Sequence, residues 1–285
     1  MLFYLLIFLV SYEPFIRYPI EDALTEGPFI SGIHFYDKNN MTMTRYGLLL
    51  AGLSCISLSG CGDNAAKPQI ERNDTGITSC ADNQHTRLQC PVTGFPGQHE
   101  SGRDMTDAND NDGHAGFSFT KLDKDGHDLS SDAKEWSCVR DNVTGLIWEI
   151  KTTSGLQNKD STYTWYQENQ KINAGFVGIK NGGHCEGSDC DTSGYVSALN
   201  QQGLCDYHDW RMPNVDELSS ITNLNESAPA IDTRYFPETV AAAYWTSVPV
   251  ATLPANAWDV YFKGGGSDWD NKQNLLHVRL VRERK

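Results

Sequence analysis

The residues able to do chemistry are spread thinly along this chain. Its eight histidines (His34, His85, His99, His114, His127, His184, His208 and His277) form no H-E-x-x-H pair, and no G-x-S-x-G elbow or P-loop run accompanies them. His208 stands beside Asp209 and reads most simply as part of a turn. None of the eight cysteines is in a C-x2-C pair, and His184 next to Cys185 does not complete a tetrahedral zinc set by spacing. The run from Gly102 to Ala133 is rich in aspartate and invites a calcium reading. With Gly126 at the EF-hand glycine position, Asp123 and Asp125 fall on ligand positions 3 and 5, but Lys121 falls on position 1 and Asp132 on position 12. Aligning Gly113 instead puts Ala108 first, so both copies fail at a ligand position. No metal or other cofactor is therefore expected. A non-EF calcium loop using Asp123, Asp125 and Asp128 is the alternative to a plain β-hairpin turning at Asp125-Gly126.

The elements that must carry these residues are legible in part. "CVRDNVTGLIWE" reads as a strand and "YTWY" as a second, short one. "DTSGYVSALNQQGLC" reads as a helix capped by Thr192 or Ser193, with Val196 and Leu199 on one face and Gly203 after its end. In "DWRMPNVDELSSI" Asn214 and Glu217 have the spacing of a capping box, with Val215, Leu218 and Ile221 on one face. Arg211, entering just before that helix, is expected to satisfy backbone carbonyls or a carboxylate such as Glu217, because buried charges must be paired. "AAYWTSV", "AWDVYFK" and "LLHVRLVR" read as strands. Between the last two, Gly264–Asn274 is Gly-rich and acidic and reads as a loop. It carries Trp269 and Asp270, the expected ligand contacts, since contacts concentrate on loops held by a rigid scaffold.

Location limits function. Arg45, the uncharged apolar run Gly47–Leu58 and the small residues before Cys61 have the layout of a secretory signal peptide, too short to span a bilayer as a mature helix. Leu58-Ser59-Gly60-Cys61 resembles a bacterial lipobox, so Cys61 is expected to carry lipid. A signal must lead the nascent chain, so translation is expected to start at Met41 or Met43 and residues 1–40 to be untranslated or a non-native extension. Residues 41–60 are then the signal, 61–79 a flexible tether, 80–137 a disulfide-bearing, Asp-rich β extension, and 138–285 the main domain.

Six cysteines follow the lipidated one: Cys80, Cys90, Cys138, Cys185, Cys190 and Cys205. An even set in an exported chain reads as three disulfides. Proximity favours Cys80–Cys90. The other four pair as Cys185–Cys190 with Cys138–Cys205, or in a crossed arrangement. The formal charge is −14, with three basic and five acidic residues before Cys61, which leaves −12 from there on. Such a chain lacks the positive field that nucleic acid requires.

Five blocks, in order, carry a family resemblance: "VRDNVTGLIWE" (Val139–Glu149), "DWRMPNVDEL" (Asp209–Leu218), "YWTS" (Tyr244–Ser247), "AWDVYF" (Ala257–Phe262) and "VRLVR" (Val278–Arg282). Together they resemble the Lcl C-terminal domain family, which is related to C-type-lectin-like domains and to the sulfatase-modifying enzymes. The resemblance implies an α+β, C-type-lectin-like fold: two helices on a twisted, mainly antiparallel sheet with long disulfide-stapled loops. It makes scaffold of Trp148, Trp210, Arg211, Pro213, Glu217, Trp245 and Arg279, and it implies a binding surface rather than catalysis. Two departures matter. No cysteine follows Cys205, so the late thiols of the sulfatase-modifying enzymes are missing. "DWDN" (Asp268–Asn271) has the wrong order for the calcium lectins, and their Pro motif is absent. The expected protein is an envelope lipoprotein of the outer membrane, held by its lipid, that binds an extracellular protein or glycan. A structural envelope protein without a small ligand, and an enzyme on the sulfatase-modifying fold, are the alternatives.

Overall fold

A computed structural model describes residues 73–90, 92–94 and 111–283. Cys61 and the expected signal lie outside the described residues. The described chain is α+β. Strands β1 (Phe119–Leu122), β2 (Cys138–Asp141), β3 (Leu146–Glu149) and β7 (Val281–Glu283) form one antiparallel sheet in that order. Strands β4 (Ala243–Pro249), β5 (Asn256–Tyr261) and β6 (Gly266–Asn271) form a second antiparallel sheet. Helices α1 (Thr192–Gln202) and α2 (Val215–Ser219) complete the set.

The single sheet expected from the family resemblance is thus two sheets. Residues 276–280 are mostly buried but form no continuous ladder. Leu276, Val278, Arg279 and Leu280 are all in the interior, so consecutive positions are enclosed rather than alternating in and out. Only isolated bridges form there, Tyr163 with Leu276 and Tyr244 with His277, and the expected strand shrinks to β7. "YTWY" is likewise a set of single bridges. Two indoles stitch it to β4 instead: Trp165 Nε1 donates to Thr246 O at 2.9 Å, and Trp245 Nε1 donates to Tyr163 O at 2.8 Å.

Two apolar clusters fill the interior. One joins Phe117, Phe119, Val139 and Trp148 to Leu218 and Ile221 beside α2 and to Tyr244, Val260 and Phe262. The other joins Ile147, Tyr163, Trp165, Tyr195, Leu199, Trp210 and Trp245. Each such side chain contributes about 1.5–3 kcal/mol by leaving water. Phe117, Phe119 and β1 lie in the segment expected to be an extension, and they share the first cluster and pair with β2. The final residues of the expected tether also lie against this body: Leu224 N donates to Thr75 O at 2.8 Å.

The helix ends follow local chemistry. α2 has the expected capping box, with Asn214 Oδ1 accepting from Glu217 N and Glu217 Oε2 from Asn214 N, both at 2.8 Å. α1 is capped by Asp191, not Thr192 or Ser193; its Oδ1 accepts from Gly194 N at 2.8 Å. Thr192 Oγ1 and Ser193 Oγ instead donate to Tyr166 O. α1 ends at Gly203, whose φ of 73° and contact with the His208 ring both exclude a Cβ. Disulfides join Cys80–Cys90, Cys138–Cys205 and Cys185–Cys190, the uncrossed arrangement.

Candidate functional site

The block around Trp210 is a scaffold built from reciprocal bonds. Trp210 is 2 % exposed. Its backbone N donates to Asn200 Oδ1 at 2.7 Å and its carbonyl accepts from Asn200 Nδ2 at 2.8 Å, which fixes α1 to the chain entering α2. Pro213 is buried. Arg211 grips Glu217 with both terminal nitrogens at 2.8 Å and reaches Glu283 at 3.2 Å. Burial raises the Glu217 carboxyl, but Arg211 and the Asn214 amide outweigh it and hold the group below its ordinary range.

A buried polar network, not visible in the sequence, locks β3 to α1. Glu149 is fully buried and accepts from Lys151 Nζ at 2.8 Å, from Leu280 N at 2.8 Å and from the Tyr195 hydroxyl. Arg279 donates to Glu149 O at 3.1 Å and to Thr239 Oγ1 at 2.7 Å. Burial pushes the Tyr195 phenol far up and draws the Lys151 amine down. Trp148 and Trp245 are wholly buried nearby in the two clusters. Lys272 is buried, and no carboxylate among the described residues lies beside it. Its amine donates to Asn173 O at 2.9 Å and Phe176 O at 2.7 Å and lies 4.0 Å from the Trp165 ring. Burial draws that amine down to about 8.

The stretch carrying Trp269 and Asp270 is a strand rather than a loop. Residues Gly266–Asn271 pair with all of β5, with Trp269 opposite Trp258 and Asp268 opposite Asp259. The glycines only make the turn between the two strands. β6 is an edge strand, and Trp269 is 46 % exposed on it, while Trp148, Trp165, Trp210 and Trp245 are buried. Lys272 N donates to Ala255 O at 2.8 Å, which sets the ladder's alternation and turns the Trp269 and Asn271 amides away from β5. Asp268 Oδ1 accepts from Trp269 N at 2.8 Å and Asp270 Oδ1 from Asn271 N at 3.1 Å, so carboxylates occupy these outward donors. On the face carrying Asp268 and Asp270, Asp259 is 3 % exposed. Burial and then the charges of Asp270 and Asp268 raise its carboxyl to about 6.

The three aspartates considered for calcium do not converge. Asp123 and Asp125 group with His127, and Asp123 Oδ1 is occupied by the Asp125 and His127 amides. Asp128 is taken up by Arg140, which holds it with two nitrogens at 2.5 and 2.7 Å. The segment is a tight turn in which Gly126 has φ 80° and Gly126 N donates to Asp123 O. Asp125 is not left-handed, so the expected type I′ turn gives way to one with a single left-handed residue.

The scaffold residues therefore fall in the interior or at the start of α2, apart from the surface that β6 presents. The buried charges escaped sequence reading because Glu149, Lys151 and Lys272 look like surface residues by type. Only the apolar residues before Lys151 hint otherwise, whereas Lys272 stands among polar neighbours. No curated protein and no solved structure matches the chain. A family model does match, the Lcl C-terminal domain, over residues 137–282. That span takes in all five blocks and just over half of the chain, and the chain belongs to the Lcl C-terminal domain family.

Proposed function

We propose that this chain is an outer-membrane lipoprotein, anchored through Cys61, whose domain binds an extracellular protein or glycan without transforming it. The observation that carries the reading is Trp269. A large apolar ring held exposed on a paired strand, with acceptors on either side, is costly to leave in water and suited to a partner's surface. The C-type-lectin-like arrangement belongs to the same proposal, supported by two helices, antiparallel sheets and disulfide-closed loops in one α+β body. The binding role is supported over thiol chemistry by the pairing of all six cysteines from Cys80 onward.

The test is binding of the full chain to arrays of extracellular proteins and of glycans, with a turnover screen in parallel. The proposal expects saturable capture of one class and no turnover. Absence of capture on both arrays favours a structural envelope role, and turnover of any substrate overturns the binding-only reading.

A further inference from the structure

A second place in the molecule gathers charged groups that the recognition surface leaves unused. The register of the first sheet sets Arg140 opposite Ile147 and Ile147 opposite Arg282, so two arginines flank one isoleucine across three neighbouring strands. Partners in register share a face of the sheet. Cys138 shares that face of β2 and bonds to Cys205, which draws the turn from Leu204 to Asp209 over the row. Cys205 and Asp206 hold φ values of 54° and 60°. Consecutive left-handed residues other than glycine are strained, and such strain persists only where the surroundings enforce it. Between the row and the turn lies a cavity of about 470 Å³, lined by Arg140, Ile147, Asp206, Tyr207, His208, Asp209 and Arg282.

The two guanidinium groups are fixed from behind. Arg282 is 2 % exposed, stacks 3.7 Å from the Tyr207 ring centroid, and donates to Asp209 from Nε at 2.6 Å and Nη2 at 3.2 Å. Its Nη1 makes no hydrogen bond to any described residue, although the side chain lines the cavity. Arg140 is held by Asp128 from outside the cavity. His208 Nδ1 donates to Asn200 O at 2.6 Å, which directs its Nε2 away from that bond.

The geometry points to a binding site for a small hydroxy acid, its carboxylate set over Ile147 against Arg282 Nη1 and Arg140, its hydroxyls donating to Asp206 and Asp209. A guanidinium nitrogen with an unused donor is the preferred partner of a carboxylate. The two aspartates at the rim disfavour a dianion such as phosphate, and the chain's acidity disfavours polyanions. This site uses β2, β3, β7 and the turn after α1, so it stands or falls independently of the surface around Trp269.

The experiment titrates the full chain with gluconate, acetate and inorganic phosphate by calorimetry, in the wild type, Arg282→Lys, Arg140→Gln and Trp269→Ala. Gluconate is expected to saturate and to bind more tightly than acetate or phosphate. Arg282→Lys and Arg140→Gln are each expected to weaken it about tenfold, the loss of one charge-assisted contact. Trp269→Ala is expected to leave gluconate binding unchanged. Arg282 is buried and its variant is checked for folding by circular dichroism; Arg140 is nearer the surface and carries the test if Arg282→Lys unfolds. The inference is overturned if gluconate fails to saturate by about 20 mM, a binding free energy weaker than about −2.3 kcal/mol. It is equally overturned if phosphate binds as tightly, or if folded Arg140→Gln retains full affinity.

Discussion

Asp259 shows how a single residue ties the second sheet to pH. Its carboxyl titrates near 6 in the folded chain, above the ordinary 3.8. A raised carboxyl contributes stability that is fully present below the unfolded value and is lost as pH rises through the folded one. The native protein therefore weakens between about pH 4 and 7 by this group's share, about 1–3 kcal/mol. Asp259→Asn removes the ionisation and is expected to be more stable than wild type at pH 7.5, with the gap closing toward pH 4. Urea unfolding midpoints across that range check it, and a constant gap contradicts it. Glu149 accepts from both Lys151 and Tyr195 in the interior. Glu149→Gln leaves a buried cation uncompensated and should cost about 3–5 kcal/mol in unfolding free energy.

Among the elements, the β6 edge is protected by its own aspartates. Asp268 and Asp270 occupy the outward amides of Trp269 and Asn271 and place charge along the edge. Open edges invite pairing with another chain, and charges discourage it. The double variant Asp268→Ala with Asp270→Ala is expected to self-associate with rising concentration in analytical ultracentrifugation, where the wild type stays as it is; an unchanged sedimentation profile contradicts this role. How far the elements were legible follows from how local their causes are. The Asn214–Glu217 box and the Gly203 stop depend on residues three or four apart, and the sequence states them outright. The cap of α1 is Asp191 rather than the expected Thr192 or Ser193, because those two are engaged by the distant Tyr166 carbonyl. β6 looks like a loop in the sequence because Gly264–Gly266 dominates its composition, while pairing with β5 is set by the partner strand. The buried lysines and the Arg140–Ile147–Arg282 row depend on sheet register, which no local pattern encodes.

Over the whole molecule, three disulfides and two apolar clusters among the described residues hold the sheets and helices together. The Cys138–Cys205 bond spans 67 residues and ties the first sheet to the end of α1. Losing it through paired serine substitution should cost about 2–4 kcal/mol, read from denaturant unfolding. Lipidation at Cys61 is tested separately: Cys61→Ala should release the protein from the detergent phase, and unchanged partitioning would sink the anchor. The central claim is that Trp269 is kept exposed for a partner and not for the core. The most direct measurement compares Trp269→Ala with Trp210→Ala and wild type in thermal unfolding and in capture of the array ligand. Trp210→Ala should lose about 3–5 kcal/mol as a core residue. Trp269→Ala should keep the wild-type melting temperature and lose capture; a melting temperature lowered as far as that of Trp210→Ala, or capture retained in full, contradicts the account.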